Sequence, residues 1–239
     1  CYGERICTII AALKKYSWAS LFYRFIKPST LAFTLEAKQA RLSWLEWLHG
    51  YFYGRWIYLY ISVGTGRHPL ARTFRRIFPV APAKAVQPRG SIRANRPFTM
   101  ADTYHGKVIA LEHARQLVQV NEDIRLENLE KIIPYPTARD IVLKNPDHLV
   151  ALDCPCRSAM EHPCLPLDVC LIVGEPFASM VIEQHARRAR WITATEAVEI
   201  LEAEDRRGHV HHAFFKDVML GRFYAICNCC SCCCGAIQS

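Results

Sequence analysis

The fold of this chain depends on one stretch near its C-terminus, Cys227-Asn-Cys229-Cys230-Ser-Cys232-Cys233-Cys234. It places six thiols within eight positions. A disulfide needs Cα atoms about 4.4 to 6.8 Å apart with converging side chains, so neighbouring cysteines cannot easily pair with one another. Thiolates gathered this densely are typical ligands of zinc, copper(I) and iron–sulfur clusters. We therefore expect this stretch to fold around bound metal.

A second group of cysteines follows the spacing C-x-C-x7-C-x5-C and comprises Cys154, Cys156, Cys164 and Cys170. Four thiolates complete the ligand set of one cubane cluster or of one structural zinc ion. Of the 12 cysteines, only Cys1 and Cys7 lie outside the two groups. We predict one cluster on the first group and a second on at least four of the terminal six. The predicted ligands are Cys154, Cys156, Cys164, Cys170, Cys227, Cys229, Cys230, Cys232, Cys233 and Cys234.

Three explanations of these thiols can be compared. A disulfide scaffold is typical of small secreted proteins with cysteines spread along the chain, whereas this chain has 239 residues and a cysteine-free stretch from Thr8 to Asp153. Structural zinc sites usually repeat C-x2-C pairs set apart from other cysteines, which neither group contains. Ten thiols also exceed the needs of two tetrahedral zinc ions. We therefore favour iron–sulfur clusters and keep zinc as the second choice.

The two groups resemble segments of ferredoxin-like iron–sulfur proteins of anaerobic bacteria and archaea. Those proteins carry a C-x-C-R segment followed by two further cysteines, with a proline shortly before the last. The matching residues here are Cys154, Cys156, Arg157, Cys164, Pro166 and Cys170. They also carry a segment close to I-C-N-C-C-x-C-C-C-G, which residues 226–235 match. The resemblance covers about residues 104–237 and implies [4Fe-4S]-type clusters, electron transfer and sensitivity to oxygen.

Many of those relatives continue into a ferredoxin module, C-x2-C-x2-C-x3-C-P, which does not occur in this sequence. The resemblance therefore implies that a redox partner protein supplies the next cluster. Cys233-Cys234-Gly235 is also similar to the Cys-Cys-Gly element of heterodisulfide-reductase-type subunits, which hold unusual clusters on more than four thiolates. That similarity implies an alternative function, a catalytic subunit of an oxidoreductase that reduces a disulfide or another small substrate. A zinc-stabilised docking module is a third function that the residues leave open.

The net charge of +8 conceals two halves of opposite sign. Residues 1–100 contain 16 Lys and Arg against three Glu, whereas residues 101–239 contain 14 Lys and Arg against 19 Asp and Glu. Such an asymmetry indicates regions with different roles. We predict a basic, aromatic-rich helical region at 1–78, a proline-rich linker at 79–103 and a cluster-binding domain at 104–239. The predicted fold class is α+β, in which a small mixed α/β domain follows the helical region.

Aromatic residues are dense in the first region, above all between Tyr51 and Tyr60. Mixed with basic residues, they suit the headgroup layer of an anionic membrane. Packing on neighbouring helices or on a partner subunit is the other explanation, and the one we favour.

The positive charge comes without a recognised nucleic-acid motif, which argues against a nucleic-acid partner. Charged residues interrupt the apolar runs that would span a bilayer, and the stretch from Cys1 to Ile26 lacks the cleavage site of a standard signal peptide. We expect a cytoplasmic protein, and peripheral contact with the inner face of the membrane is the alternative use of the aromatic-rich region.

Local patterns predict the elements that deliver the cysteines. Helices are expected at 34–48 with Thr34 as N-cap, at 121–131, at 137–144, at 178–185, and after the capping box of Thr193 and Glu196. Strands are expected at 148–153, 209–215 and 223–226, and residues 169–173 suit a strand or a helix. A strand before Cys154 and another before Cys227 would bring the two cysteine groups together.

Some residues beside the cysteines are candidates for tuning or completing a cluster. Arg157 could place a guanidinium beside a negatively charged cluster and raise its potential, or it could be an ordinary surface arginine. Gly235 would let backbone N–H groups approach the cluster sulfurs, because it has no side chain. Histidine can replace cysteine as a cluster ligand, which makes His162, His185, His209, His211 and His212 alternates. Alternation along a strand favours a polar face for His209 and His211 instead.

Overall fold

The computed structural model describes residues 27–69, 71, 104–120, 124–126, 141–143 and 145–238. The predicted linker at 79–103, together with Cys1 and Cys7, lies outside these residues. The described part confirms the predicted α+β class, because helices cover both faces of an antiparallel sheet.

The helices of the described residues are α1 (Pro28–Gln39), α2 (Trp44–Arg55), α3 (Ile57–Gly64), α4 (Leu111–Val118), α5 (Pro155–Ser158), α6 (Phe177–Gln184), α7 (Ala194–Arg206) and α8 (Gly235–Gln238). The strands are β1 (Tyr104–Val108), β2 (Ile124–Leu126), β3 (Ile141–Leu143), β4 (Leu149–Leu152), β5 (Cys170–Val173), β6 (Ala189–Ile192), β7 (Val210–Lys216) and β8 (Arg222–Cys229). Strands β2 and β3 form a separate pair, and the other six form one sheet in the order β1-β7-β8-β5-β4-β6. All pairings are antiparallel.

Both faces of the six-stranded sheet are covered, because successive side chains of a strand point to opposite sides. On one face, Val150, Ile172 and Phe214 pack with residues of α1, α2, α3 and α6. On the other face, Leu149 and Leu171 pack with residues of α4 and α7. Strands β4 and β5 are buried along their whole length. The sheet is therefore the middle layer of three.

The aromatic helices and the cysteine-bearing strands share one hydrophobic core. Phe33 of α1 and Tyr53 of α2 belong to the same buried cluster as Cys170 of β5. A buried ion pair between Glu36 of α1 and Arg222 of β8 adds a polar connection between the layers. The basic region and the cluster-binding region predicted from the charge asymmetry are thus packed together where the structure describes them.

The predicted single helix at 34–48 is wrong, since two helices meet within it. Helix α1 already begins at Pro28, whose missing N–H is no loss in the first turn. Thr34 therefore lies inside α1 and is not an N-cap. Arg41 takes a positive φ of 56°, and Ser43 then starts α2 with a complete capping box. The apolar pattern runs across this break, which is why it reads as one helix.

Two further predicted helices are wrong at the residues that the structure describes. Within 121–131, residues 124–126 form β2, and within 137–144, residues 141–143 form β3. These strands pair with each other, with Ile124 opposite Leu143. Short apolar runs lack a distinguishing period, so the same residues fit a strand pair or a helix.

The predicted elements next to the cysteines are confirmed. They are the strand at 148–153 (β4), the helix at 178–185 (α6), and the strands at 209–215 (β7) and 223–226 (β8). Residues 170–173 are a strand rather than a helix. The Thr193 hydroxyl accepts a hydrogen bond from the Glu196 N–H at 3.2 Å, and α7 then runs to Arg206 as its capping sequence indicates.

The side chains of α2 and α3 divide between an inner and an outer face. Tyr53 and Ile57 are buried against the sheet, as the packing explanation predicts. Trp44 and Leu45 are 68% and 70% exposed. Among the described residues, none of the helices combines the length and the apolar character that crossing a bilayer requires. Contact of the exposed face with an anionic membrane remains a prediction, and so does the exclusion of nucleic acid.

We expect the buried Lys216 to make stability depend on pH. Its ammonium lies 5.1 Å and 5.3 Å from the ring centroids of Tyr53 and Tyr60, and burial lowers its pKa to about 8. The unfolded chain keeps this proton up to about pH 10.4, so the charged form penalises the folded state below pH 8 and the penalty disappears as the pH rises towards 10.4. Relative to Lys216→Met, the wild type should gain about 3 kcal/mol of unfolding free energy between pH 7.5 and 10.5. Denaturant titrations of both proteins measure this, and a difference that does not change with pH would contradict it.

Candidate metal centre

Three neighbouring strands place candidate ligands side by side on one face of the sheet. Cys170 of β5 pairs directly with Cys227 of β8, and Cys227 pairs with His212 of β7. Because side chains alternate between the faces of a strand, Cys229 returns to the face of Cys227. Asn228, between them, pairs with His211 and hydrogen-bonds to it. The sequence Cys-Asn-Cys is thus a strand end that presents two thiols to the same side.

Six thiols form a first set, which we call the inner group. Its members are Cys154, Cys156, Cys170, Cys227, Cys229 and Cys234. Thiol–thiol interactions connect them in one series, in the order Cys227, Cys170, Cys154, Cys156, Cys234, Cys229. All six line one cavity of about 580 Å³ between the sheet and helices α2 and α3. The inner group therefore has room for an occupant much larger than a single ion.

The remaining four thiols form the surface group: Cys164, Cys230, Cys232 and Cys233. Their sulfur atoms all lie within 4.8 Å of one another, and those of Cys164 and Cys232 are 2.9 Å apart. Four sulfurs about 2.3 Å from a tetrahedral metal ion lie about 3.8 Å from each other. The surface group can therefore hold a metal ion, and its spacing fits one tetrahedral ion.

The structure divides the ten thiols differently from the sequence-based prediction. Cys164 lies with three terminal cysteines and not with its neighbours in sequence. The terminal run is itself split, because β8 ends at Cys229 and a turn carries the next cysteines to the surface group before Cys234 returns to the inner group. The division follows from where a strand ends and a turn begins, which cysteine spacing alone does not reveal.

Backbone N–H groups approach the thiols of the inner group. The N–H of Gly235 interacts with the Cys156 thiol, and the N–H groups of Ala236 and Ile237 interact with the Cys234 thiol. A Cβ atom added to Gly235 would lie 2.4 Å from the Thr65 methyl carbon. The lack of a side chain at Gly235 thus lets this backbone approach the thiols closely, while its approach to a cluster stays a prediction.

Arg67, which follows α3, connects the helical layer to both thiol groups. Its guanidinium donates to the carbonyl of Cys156 at 3.1 Å and to the carbonyl of Cys233 at 2.8 Å. It also donates to Gln238 Oε1 at 2.7 Å. One side chain therefore fixes the backbone beside an inner thiol and beside a surface thiol, and it also holds the Gln238 side chain at the end of α8.

Arg157 is 1% exposed, so it is not an ordinary surface arginine. Its guanidinium donates to the Glu204 carboxylate at 2.6 Å and to the Asn228 carbonyl at 3.1 Å. Burial by itself would lower the pKa of Arg157, but the hydrogen bond and charge of Glu204 raise it overall. Arg157 thus connects the turn that carries Cys154 and Cys156 to α7 and β8. The Glu204 carboxylate balances the charge of its guanidinium.

Two of the three candidate histidines that precede the terminal cysteines bond to protein groups instead. His209 Nδ1 lies 2.7 Å from Glu204 Oε2, and His211 Nδ1 lies 2.6 Å from Asn228 Oδ1. His212 differs, because it lines the cavity and its ring stacks on Phe214 with centroids 5.7 Å apart. Only this histidine of the three lies on the side of the inner thiols.

The inner thiols share their protons unevenly. The pKa of Cys154 falls to about 3, because Cys156 and Cys170 hydrogen-bond to its thiolate. Hydrogen bonds from Cys156 and Cys229 lower the pKa of Cys234 to about 2. The same bonds, together with burial, raise the pKa of Cys156, Cys170 and Cys229. Without metal, two thiolates are therefore stabilised by neighbours that keep their protons.

Several residues around the thiols escape sequence reasoning. The cavity wall beyond the cysteines includes Tyr53, Tyr60 and Tyr224, which the sequence shows only as members of apolar or aromatic runs. Glu204 looks like any other charge on an amphipathic helix, although it is fully buried. The sequence does contain a pattern that could have singled out Arg67, since this arginine directly follows the turn Gly64-Thr-Gly66 at the end of an apolar helix. A cation immediately after such a turn is placed to reach neighbouring carbonyls.

No protein-family model, curated protein or solved structure matches this chain. The resemblance to ferredoxin-like proteins therefore rests on the cysteine motifs alone. The two thiol groups are the firmest basis for a function.

We expect metal binding to release protons and to strengthen as the pH rises. Metal ligation requires thiolates, whereas hydrogen bonds to the Cys154 and Cys234 thiolates, together with burial, raise the pKa of Cys156, Cys170 and Cys229 well above neutral pH. Calorimetric titration of the reduced, metal-free protein with Zn²⁺ in buffers of different ionisation enthalpy measures the protons released. We expect at least two per metal ion bound by the inner group. Binding without proton release would contradict this distribution of charge.

We expect Gly235→Ala to weaken metal binding about tenfold, as changes beside a metal ligand commonly do. The added methyl group collides with Thr65 Cγ2 and pushes the N–H groups of α8 away from the inner thiols. Thr65→Ser removes that methyl carbon and keeps the hydroxyl that donates to the Ile61 carbonyl. The double variant should therefore recover most of the affinity in a competition assay with a chromogenic chelator. Equal weakening in the single and double variants would contradict the proposed collision.

Proposed function

We propose that this protein is an iron–sulfur electron-transfer protein whose inner group holds a cluster. The observation that carries the proposal is that all six inner thiols line one cavity of about 580 Å³, which Cys230 of the surface group also borders. Thiolates from Cys154, Cys170, Cys227 and their partners are the ligands that such clusters use. The cluster would supply a one-electron redox centre, and the chain supplies its ligands and the N–H groups that stabilise charge on sulfur.

The arrangement of the two groups supports electron passage between them. Cys229 of the inner group is followed at once by Cys230 of the surface group, and Cys233 is followed by Cys234. Consecutive Cα atoms are about 3.8 Å apart, so whatever the two groups hold lies within a few side-chain lengths. Cys232 is exposed, which brings the surface group to where a redox partner protein would meet it. We propose the surface group as the point of electron entry and exit.

The close spacing of the surface group also favours a second candidate function for that group. Sulfurs within 4.8 Å of one another match a single tetrahedral ion more closely than a cubane. A single iron ion there would exchange electrons, whereas zinc would only stabilise the turn after β8. In the second case the surface group is a structural site beside a redox-active inner group.

Anaerobic iron, zinc and acid-labile sulfide analysis tests the proposal. We expect about four irons or more per chain, with sulfide, in the wild type. Cys154→Ser with Cys170→Ser should remove the iron and sulfide of the inner group. Cys164→Ser with Cys232→Ser should remove only the metal of the surface group. Ser231→Ala, in the same turn but without a thiol, is the matched control and should change neither.

Two results would overturn the proposal. Stoichiometric zinc without iron or sulfide would leave a zinc-stabilised module. Iron that does not change its absorption on reaction with dithionite would exclude an electron carrier.

A further inference from the structure

Helix α2 exposes an apolar surface on the side that faces away from the sheet. With 3.6 residues per turn, Trp44, Leu45, Leu48 and Phe52 fall within about a third of the helix circumference. All four side chains are exposed, Trp44 and Leu45 by more than two thirds. Tyr53 lies outside this arc and is buried against the sheet. The helix is thus apolar on two sides, of which the sheet covers one.

This apolar surface continues past the end of α2. Trp56 lies where α2 meets α3, is exposed, and contacts Phe52 with ring centroids 5.0 Å apart. Leu59 of α3 is exposed as well. Exposed apolar surface that extends over two helices is unusual on a protein without a partner there. We call this surface the outer patch; its members are Trp44, Leu45, Leu48, Phe52, Trp56 and Leu59.

Positive charge accompanies the outer patch. The guanidinium carbon of Arg55 lies 5.7 Å from the centroid of the Trp56 ring. Lys38 and Arg41, which come shortly before α2, are exposed. The carboxylate of Glu46 accepts hydrogen bonds within the capping box that starts α2. Cations therefore outnumber carboxylates beside the patch.

The chain on both sides of helices α1 to α3 adds to this charge. Residues 1–26 contain four Lys and Arg against one Glu, and residues 70–100 contain seven Lys and Arg without Asp or Glu. A second copy of the chain would bring the same positive charge to the contact and would be repelled. An anionic bilayer attracts each basic residue near its surface. The charge thus favours a lipid surface over a second copy as the partner.

The residue types of the patch fit the boundary between headgroups and acyl chains. Tryptophan is enriched at this boundary, where its ring is partly in contact with lipid and partly with water. Arginine lays its aliphatic part along apolar surface and keeps its charged end in the polar layer. Arg55 beside Trp56 provides this combination within the patch itself. An apolar helix face bordered by cations is typical of proteins that bind in the plane of a membrane.

We propose that the outer patch docks to an anionic phospholipid bilayer. Trp44, Leu45 and the other members of the patch enter the headgroup layer, while Arg55, Arg41 and Lys38 face the phosphates. The inference goes beyond electron transfer, because the patch lies outside the thiol groups and recognises lipid whichever metal they hold.

Co-sedimentation with phospholipid vesicles tests the inference on the full chain, purified anaerobically with its metal. One preparation of vesicles contains phosphatidylcholine alone, and the other contains equal parts of phosphatidylcholine and phosphatidylglycerol. We expect at least tenfold tighter binding to the anionic vesicles, since several basic residues contribute. Added salt should weaken this binding, because it screens charges at the surface.

Variants locate the contact on the outer patch. Trp44→Ser with Leu45→Ser should weaken binding to anionic vesicles at least tenfold, because two exposed apolar side chains no longer enter the headgroup layer. Arg55→Gln should weaken it about fivefold and leave the weaker binding to neutral vesicles unchanged. The matched control is Trp191→Ser with Val108→Ser, which removes an exposed tryptophan and an exposed aliphatic side chain from the edge strands β6 and β1. It should leave vesicle binding unchanged.

Three results would overturn the inference: no binding to either kind of vesicle, equal binding to both kinds, or undiminished binding by the Trp44 and Leu45 double variant. Self-association that this variant abolishes, without vesicle binding, would also overturn it and would identify a second copy as the partner.

Iron and sulfide contents of the same preparations separate this inference from the proposed function. Binding of protein without iron to anionic vesicles would support the inference even though the electron-transfer function had failed. Iron-loaded protein that binds no vesicles would overturn the inference and leave the electron-transfer proposal intact.

Discussion

Strand β8 is the constraint on which the placement of the inner thiols depends. Its residues Phe223 and Ile226 are fixed in the core that faces α7, while Ala225 is fixed in the core that faces α2 and α3. A shift of register by one residue would exchange the two faces. It would move Cys227 and Cys229 away from the cavity. The hydrophobic pattern that holds the sheet together therefore also decides where the thiols point.

The sequence predicts the elements near the cysteines better than the elements far from them. Strands β4, β7 and β8 and helix α7 have strong local signals, such as the Thr193 cap and alternating apolar residues. The break between α1 and α2 and the pairing of β2 with β3 depend on contacts between segments. No local period distinguishes a helix from a strand over three or four apolar residues. Tertiary packing settles those segments.

The ten candidate ligands could be named from the sequence, but their division into six and four could not. Cys164 joins the surface group because the chain between Cys156 and Cys170 folds outward, whereas both flanking cysteines are held by the sheet and by Arg67. The role of Arg157 was left open between two explanations. Its buried pair with Glu204 supports a third role, in which the guanidinium holds the cysteine turn in place and its charge is already balanced. Such a pairing joins residues 47 positions apart and leaves no local pattern.

The interleaving of ligands along the terminal run couples the two thiol groups physically. Inner and surface ligands are direct neighbours in sequence at Cys229 and Cys230, and again at Cys233 and Cys234. A metal that draws the surface thiols together must therefore also fix the backbone that carries two inner thiols, and Arg67 reinforces this through its bonds beside both groups. Because metal affinity and folding are linked, a metal bound to one group would lower the ordering cost of the other without replacing its ligands. The six terminal cysteines therefore divide evenly, with three in the inner group and three in the surface group, so one short run supplies thiols to both.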